Sequence, residues 1–174
     1  MRMRRLLIDS DTFYAERYSD LQYFRDRYTV ASAPTIENSG DGKVMVLDGT
    51  DDKVTVGNLI ETAKTVIIRA YLTSTTEQLL DFDGGTNYLD ATAGTLAVAT
   101  CADEVLYVDG SATATVTAGW RSIAFTTATG IAVTNLQVAT DATSFGQIKV
   151  AYVILSKRVW SSTEILAIHE GKLF

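Results

Sequence analysis

Asp81 and Asp83 stand two residues apart, the spacing that carboxylate chemistry on a β-strand requires. Side chains at positions i and i+2 of a strand point to the same face. Two carboxyl groups that face one site can hydrolyse a glycosidic bond, one as the acid and the other as the nucleophile or base. Gly84 and Gly85 follow directly and predict a turn at the end of the strand. We therefore interpret the pair as part of a solvated turn and expect a protein that is not an enzyme.

The turn after these aspartates is the candidate ligand-binding site of the chain. Its predicted members are two carboxylates, one amide and one aromatic ring: Asp81, Asp83, Asn87 and Tyr88. A sugar would stack on Tyr88, or on Phe145 in a second loop, while the polar groups bind its hydroxyls. Loop carboxylates also suit calcium, the one cofactor left open, and further candidate calcium ligands are Asp48, Asp51, Asp52 and Asp90. Trp120 and Trp160 are interpreted as core and helix-packing residues.

The other reactive side chains argue against zinc chemistry and nucleophilic catalysis. His169 is the only histidine and Cys101 the only cysteine, so no pair of such residues exists to bind zinc, and no disulfide can form within the chain. A serine–histidine catalytic set would have to use His169. We expect His169 to lie instead on the surface of a helix.

That helix is predicted close to the C-terminus. Ser161 and Glu164 have the spacing of a capping box, and Gly171 is placed to end the helix. Four apolar residues fall near one helical face: Ile165, Leu166, Ile168 and Leu173. Because a helix of roughly ten residues is marginal alone in water, we expect this face to pack on the rest of the protein.

From about Val44 onwards the sequence predicts β-strands. Short runs rich in Val, Ile and Thr alternate with Gly/Asp turns, a pattern typical of an antiparallel sandwich. The run "TVIIRAYLTS" (65–74) predicts a central strand, and "GQIKVAYVILSK" (146–157) is the longest strand candidate. Asp109-Gly110, between two strand runs, predicts a tight type I′ hairpin turn.

Residues 1–43 differ from the rest and are interpreted as an N-terminal arm and linker before a sandwich domain of residues 44–174. Tyr14, Tyr18, Leu21 and Tyr28 lie at spacings of four, three and seven, which predicts a helical stripe. An extended arm that inserts into a neighbour, or a helix that folds back on its own sandwich, are the alternatives. Tyr and Arg are enriched at interface hot spots, so we expect self-association through seven residues of this segment: Phe13, Tyr14, Arg17, Tyr18, Phe24, Arg25 and Tyr28.

Four segments, taken in order, resemble laminin-G-like domains of the concanavalin A-like lectin and glucanase superfamily: "LDGTDDKVTV", "TVIIRAYLTST", "TAGWRSIAFT" and "GQIKVAYVILSKRVWSSTEILAIHEG". The last resembles the closing strand and capped helix of such domains, which implies that the C-terminal helix packs beside the sandwich. Over roughly residues 44–171, the resemblance implies an all-β fold: an antiparallel β-sandwich of the jelly-roll type. The sequence departs from the family pattern at Arg121-Ser122, where His-His is usual, at Lys149, where aspartate is usual, and at Leu155, where tyrosine is usual.

Charge and hydropathy narrow the function further. The formal net charge of −6 argues against nucleic-acid binding, and no apolar run is long enough to span a bilayer. The opening "MRMRRLLIDSDTF" lacks the apolar core of a secretory signal. Small lectin-like sandwiches with arms resemble structural proteins of tailed bacteriophages. This implies a non-enzymatic virion protein, a head decoration protein, head fibre or tail component, that assembles with other virion proteins. A carbohydrate-binding module with a glycan ligand is the alternative.

Overall fold

The chain forms two antiparallel β-sheets that pack face to face, with two short helices. The computed structural model describes residues 11–40 and 42–171. Along the chain the elements are β1 (Thr12–Arg17), α1 (Leu21–Arg27), β2 (Thr29–Ala31), β3 (Thr35–Ser39), β4 (Gly42–Val46), β5 (Lys53–Gly57), β6 (Glu61–Leu72), β7 (Glu77–Asp81), β8 (Tyr88–Thr92), β9 (Thr95–Val98), β10 (Val105–Val108), β11 (Ser111–Ala112), β12 (Gly119–Val133), β13 (Leu136–Val138), β14 (Ile148–Ser156) and α2 (Ser162–His169). Neither of the described helices is long and apolar enough to cross a membrane. The architecture confirms the predicted all-β sandwich with a short C-terminal helix.

Eight strands form the larger sheet, in the spatial order β11, β10, β12, β6, β14, β4, β3, with β1 also paired to β14. One edge of β14 pairs with β6, whereas its other edge pairs with β4 at Lys149 and Val150 and then with β1 from Tyr152 to Ser156. The smaller sheet has the order β2, β5, β13, β7, β8, β9. The predicted central strand is therefore β6, while β12, at 15 residues, is longer than β14 at 9.

The main apolar core lies between the two sheets. Ile68 of β6 is fully buried in it, whereas Arg69 and Tyr71, at alternate positions, lie on the outer face and are half-buried. Phe82 and Phe125 make an edge-to-face pair across the sandwich, with ring centroids 5.9 Å apart. The strand period of two thus gives the larger sheet an outer face that carries polar and aromatic side chains.

Helix α2 packs on this outer face, where a second apolar cluster lies. Ile165 and Ile168 are each 2% exposed. They join a cluster formed by Val44, Ile67, Tyr107, Ala124, Ala151, Tyr152, Ile154 and Trp160. Leu166, which was expected on the same face, is 40% exposed, and Leu173 lies outside the described residues. The helix is docked as predicted, but its buried face holds Ile165 and Ile168 and is narrower than the predicted face, which included Leu166.

The ends of α2 are formed as the sequence predicts. Ser161 Oγ accepts a hydrogen bond from the Glu164 N–H at 3.3 Å, and Glu164 Oε2 accepts one from the Ser161 N–H at 2.8 Å. Gly171 follows the helix with a φ of +70°, the left-handed conformation expected of a terminating glycine.

The Asp109-Gly110 turn fixes how closely α2 can approach the sheet. Both residues have positive φ, +51° and +81°, as the predicted hairpin turn requires. A Cβ on Gly110 would lie 2.5 Å from Leu166 Cδ1 and 3.2 Å from Leu166 Cα. Glycine is therefore required here both for the backbone conformation and for the contact with the helix.

Glu164 also links the helix to the closing strand, and this link should depend on pH. Hydrogen bonds from the Arg158 guanidinium, and then from Ser161, lower the pKa of Glu164 from 4.5 to about 2. Since the pKa is lower in the folded protein than in the unfolded chain, the charged carboxylate stabilises the fold above pH 4.5, and this contribution is lost as the pH falls towards 2.

We predict that Glu164→Gln lowers the melting temperature by about 2–4 °C at pH 7, because a partly exposed ion pair contributes about 1 kcal/mol or less. The difference from the wild type should narrow as the pH is lowered to 2, which thermal unfolding at a series of pH values measures. Glu104→Gln removes the same charge away from the helix and serves as the control. A difference in melting temperature between Glu164→Gln and the wild type that stays constant from pH 7 to pH 2 would contradict a stabilising role of the charged Glu164.

The residues interpreted as an arm supply strands to both sheets. β1 pairs with β14 and β3 with β4 in the larger sheet, and β2 pairs with β5 in the smaller one. The boundary predicted between residues 43 and 44 falls inside β4. The helical stripe predicted from Tyr14 to Tyr28 is instead strand β1, a three-residue connection and the seven-residue helix α1, which Asp20 caps.

Three aromatic rings of this segment are buried in the chain's own core. Tyr14, Tyr18 and Phe24 are 5%, 0% and 0% exposed. Tyr18 stacks on Phe24 at 4.4 Å between ring centroids, and the Tyr14 and Tyr18 hydroxyls are 3.0 Å apart. Burial raises the pKa of both phenols. The other residues predicted for assembly are Arg17 and Arg25, which are exposed, Tyr28, which is half-buried, and Phe13, whose side chain lies outside the described part of the structure.

Candidate functional site

The predicted pair Asp81 and Asp83 makes the turn between β7 and β8. Asp81 Oδ1 accepts hydrogen bonds from the backbone N–H groups of Asp83 and of the two following glycines, at 3.2, 3.0 and 3.0 Å. Asp83 Oδ1 accepts from the N–H groups of Thr86 and Asn87 at 2.9 and 2.8 Å. Burial alone would raise the pKa of Asp83, but these hydrogen bonds hold it below its ordinary value. Both carboxylates thus hold the turn and are poorly placed to act as an acid–nucleophile pair.

Asn87 and Tyr88 close the same loop. Asn87 Nδ2 donates to Asp83 Oδ2 at 2.5 Å, and Thr100 Oγ1 donates to Asn87 Oδ1. Tyr88 begins β8 and is half-buried, as is Phe145 in its own loop. The structure therefore brings the predicted ligand-binding residues together. Most of their polar groups bind one another and the turn, whereas Asp81 Oδ2 is buried and lacks a hydrogen-bond partner among the described residues.

The aspartates proposed for calcium at the β4–β5 turn also hold backbone. Carboxylate oxygens of Asp48, Asp51 and Asp52 lie within 4.8 Å of one another. Asp48 Oδ1 accepts from the N–H groups of Thr50 and Asp51, and the Asp52 carboxylate accepts from those of Ala33 and Asp48. Calcium takes six to eight oxygen ligands. These hydrogen bonds account for the clustering, and calcium stays a sequence-based expectation.

An aromatic pair lies on the outer face of the larger sheet, near α2. Tyr71 of β6 and Trp120 of β12 are cross-strand neighbours, with ring centroids 5.8 Å apart and an angle of 72° between their planes. Both side chains are half-buried. Lys149 of β14 is the neighbour of Tyr71 on its other side. The register of three strands therefore sets a cation and two aromatic rings in one row.

Two cations lie over these rings. Lys149 Nζ is 5.3 Å from the centroid of Tyr71, and Arg69 Cζ is 5.4 Å from that of Trp120. Lys149 also forms an ion pair with Glu37 of β3, at 2.6 Å. We call Glu37, Arg69, Tyr71, Trp120 and Lys149 the outer-face site.

Asp109 gathers charged groups beside this site. Its Oδ1 accepts from the Ser122 N–H at 2.9 Å and lies 3.9 Å from Arg69 Nη1 and 3.8 Å from His169 Nδ1. Its Oδ2 accepts from Arg121 Nη1 at 3.4 Å. Helix α2 thus places His169 beside a carboxylate of the sheet, and its side chain is half-buried there. The His169 Nδ1 atom is buried and lacks a hydrogen-bond partner among the described residues.

A pocket of about 150 Å³ opens between α2 and the sheet. Cationic, aromatic and apolar groups line it, namely Arg17, Arg69, Ala151, Tyr152, Ile168, His169 and Gly171. Arg69 belongs both to this pocket and to the outer-face site, so the two are continuous.

Sequence reasoning missed the outer-face site because it placed Trp120 in the core. The available signal was in the apolar run of β6, where only Arg69 and Tyr71 interrupt the hydrophobic residues at a spacing of two. Such alternation marks a polar face of a strand. The departures from the family pattern at Arg121 and Lys149 also fall in or beside the site.

No protein-family model matches the chain, and no curated protein matches it. Solved structures do resemble it. One is the catalytic domain of GH87 alpha-1,3-glucanase, an aspartate-to-alanine variant in complex with tetrasaccharides. The match has a TM-score of 0.50 and 11% sequence identity, and it covers 87% of this chain and 29% of the glucanase chain. Another variant of that domain, in complex with nigerose, gives a TM-score of 0.48 and 12% identity over the same shares. The chain therefore shares its β-sandwich fold with part of this domain and spans under a third of the length of these structures.

These similarities overturn the expectation of a non-enzymatic virion structural protein. The structure that resembles the chain with a TM-score of 0.50 is a glycoside hydrolase catalytic domain, so the expected absence of enzymatic function is corrected as well. The bacteriophage assignment finds no support among them. At 11% identity the similarity shows the fold alone.

Proposed function

We propose that this chain binds carbohydrate at the outer-face site and acts as part of a glycoside hydrolase. The fold is shared with a stretch of a GH87 alpha-1,3-glucanase catalytic domain, which supports an α-glucan as the first ligand to test. Since the chain spans 29% of that structure, glycan binding is the part of such an activity that its own residues support best.

The observation that carries the proposal is the Tyr71–Trp120 pair with its polar surroundings. Half-buried aromatic rings offer apolar surface to the C–H groups of a sugar, and they are positioned by strands and not by loops. Arg69, Lys149 and Glu37 supply charged donors and acceptors for hydroxyl groups within the same patch. Few polar groups around an apolar surface are typical of a ligand site.

The cations over the rings do not block such binding. A cation–π contact at an exposed site contributes about 0.5–1 kcal/mol, so a flexible Lys or Arg side chain can move aside at little cost. Lys149 is held at the edge by Glu37 and can donate to a hydroxyl group from there. In the free protein, the Arg69 and Lys149 side chains lie over the rings. A ligand can reach the rings once these side chains move aside.

We predict that Trp120→Ala or Tyr71→Ala lowers the affinity for α-1,3-gluco-oligosaccharides at least about tenfold, because truncation of an aromatic anchor in a binding site typically costs about 2 kcal/mol or more. Calorimetric titration measures the affinity, and release of reducing ends in the same samples measures hydrolysis. Tyr88→Ala truncates a half-buried ring in the loop that the sequence favoured, and it should leave the affinity unchanged.

Melting curves of all three variants show whether each is folded. If Tyr88→Ala abolishes binding while Trp120→Ala and Tyr71→Ala do not, the ligand site is the β7–β8 loop and the outer-face assignment is wrong. If folded wild-type protein neither binds nor cleaves any of a panel of glucans, the carbohydrate proposal fails.

A further inference from the structure

Two buried oxygen atoms of the smaller sheet lack hydrogen-bond partners among the described residues. They are Asp81 Oδ2 and Gln137 Oε1, on side chains whose residues are 0% and 5% exposed. A carboxylate oxygen and an amide oxygen both accept hydrogen bonds, so neither atom can satisfy the other. Buried polar groups are nearly always paired, which makes two orphaned acceptors in one sheet a sign of a missing partner.

Strand pairing brings these two side chains together. Asp81 of β7 and Gln137 of β13 are directly opposed. Opposed side chains of an antiparallel pair lie on the same face, with Cβ atoms about 4.5–5.5 Å apart. The next opposed pair, Leu80 and Val138, lies in the core between the sheets. Asp81 and Gln137 therefore point to the outer face of the smaller sheet, close enough to share one ligand.

The loop between β13 and β14, residues 139–147, lies against the turn that holds Asp81. The Gly85 N–H donates to Asp81 Oδ1 at 3.0 Å. A Cβ on Gly85 would lie 3.2 Å from Ala142 Cβ and 3.4 Å from the Asp141 carbonyl oxygen. The loop thus helps to bury Asp81, and it brings a backbone carbonyl to the same turn.

The surroundings of the two oxygens are acidic. Asp83 belongs to the turn, Asp90 to the outer face of β8 and Asp141 to the covering loop. Burial, and then the charge of Asp141, raise the pKa of Asp90, so these two carboxylates interact. Within the described part of the chain, neither Asp81 nor any of these three forms an ion pair. Lys53 of β5 adds one positive charge, 6.0 Å from an aromatic ring of the loop, and the balance stays negative.

We propose that Asp81 and Gln137 bind a hard divalent cation beneath the β13–β14 loop. A carboxylate and an amide carbonyl are oxygen ligands of the kind that Ca²⁺ takes, and the Asp141 carbonyl and water would complete its shell. A water molecule could also bridge two acceptors, but it would leave the negative charge of the surroundings unbalanced. The site lies on the opposite sheet from the outer-face site, so the inference does not depend on the proposed glycan binding.

The test compares melting curves of the full chain, first freed of metal with a chelator, in CaCl2 and in NaCl of the same ionic strength. We expect Ca²⁺ at about 100 times its dissociation constant to raise the melting temperature by roughly 5–10 °C, and NaCl to have no such effect. Asp81→Asn should abolish the rise, because an amide replaces the ligand carboxylate. This variant should melt at or above the wild type in chelator, since the new amide N–H can donate to Gln137 Oε1.

Two further variants keep the test decisive. Gln137→Met removes the second ligand, leaves the turn bonds of Asp81 intact and should also abolish the rise. Asp48→Asn makes the same change in the aspartate cluster of the β4–β5 turn and should keep it. If Asp48→Asn loses the rise while Asp81→Asn and Gln137→Met keep it, the ion binds at the β4–β5 turn and the proposal is wrong. A wild-type melting temperature that Ca²⁺ does not change would also overturn it, and would indicate a direct hydrogen bond between Asp81 and Gln137.

Discussion

Ile165→Asp is expected to lower the free energy of unfolding by roughly 3–5 kcal/mol. Ile165 is 2% exposed and packs with α2 on the outer face of the larger sheet. The substitution loses the burial of one aliphatic side chain, worth about 1.5–3 kcal/mol, and it forces the new carboxylate either to be buried or to undock the helix. Because total stabilities are about 5–15 kcal/mol, this is a large fraction. Urea unfolding followed by the fluorescence of the nearby Trp160 measures the loss.

Thr163→Asp is the matched control. It introduces the same charge into the same helix at an exposed position in the first turn, where the helix dipole favours an anion. Its effect should be within a few tenths of a kcal/mol of zero or slightly stabilising. If Ile165→Asp and Thr163→Asp unfold at the same urea concentration, α2 is not docked on the sheet.

The C-terminal helix could be predicted because its signals are local. The capping serine, the glutamate three residues later and the terminating glycine act within one or two turns, and all three take the expected roles. The burial of Ile165 but not Leu166 depends on the contact with Gly110, which comes from a distant hairpin. The sequence therefore indicates a docked helix but not its rotation on the sheet.

The site on the outer face could not be predicted because it depends on strand register. Tyr71 and Trp120 are 49 positions apart and become neighbours through the pairing of β6 with β12. A shift by one residue would move either ring to the other face of the sheet. By contrast, Asp81 and Asp83 are close in sequence, so the pattern of a carboxylate pair could be recognised. In the structure both accept hydrogen bonds from backbone N–H groups of the β7–β8 turn.

The N-terminal segment shows how one spacing can fit two structures. Tyr14 and Tyr18 are four residues apart, which suits one face of a helix and equally the same face of a strand. Strand β1 contains Tyr14, and Tyr18 follows it with its N–H bound to the Ala151 carbonyl at 2.9 Å. Pairing with β14 decides between the two, and no local pattern reveals that partner.

Phe24→Ala should therefore act on the stability of the single chain, with an expected loss of about 3–5 kcal/mol in the free energy of unfolding. Phe24 is fully buried, stacks on Tyr18 and contacts Tyr28 at 5.4 Å between ring centroids. Removing the ring leaves a cavity where the segment closes over the core. Arg25→Ala, at the exposed neighbouring position of α1, should change stability by less than about 0.5 kcal/mol.

Light scattering measures the mass of the same variants and of a chain that lacks residues 1–30. It separates a role of the segment in the stability of the single chain from a role in assembly. Deletion removes β1 from the edge of β14 and two of the three residues of β2 from the edge of β5, so we expect it to abolish cooperative unfolding. If the segment instead joins copies of the chain, Phe24→Ala would lower the measured mass while the subunit unfolds as before. That result would support the predicted self-association through this segment, because it would show that the Phe24 ring is needed for contact between chains and not for the fold of a single chain.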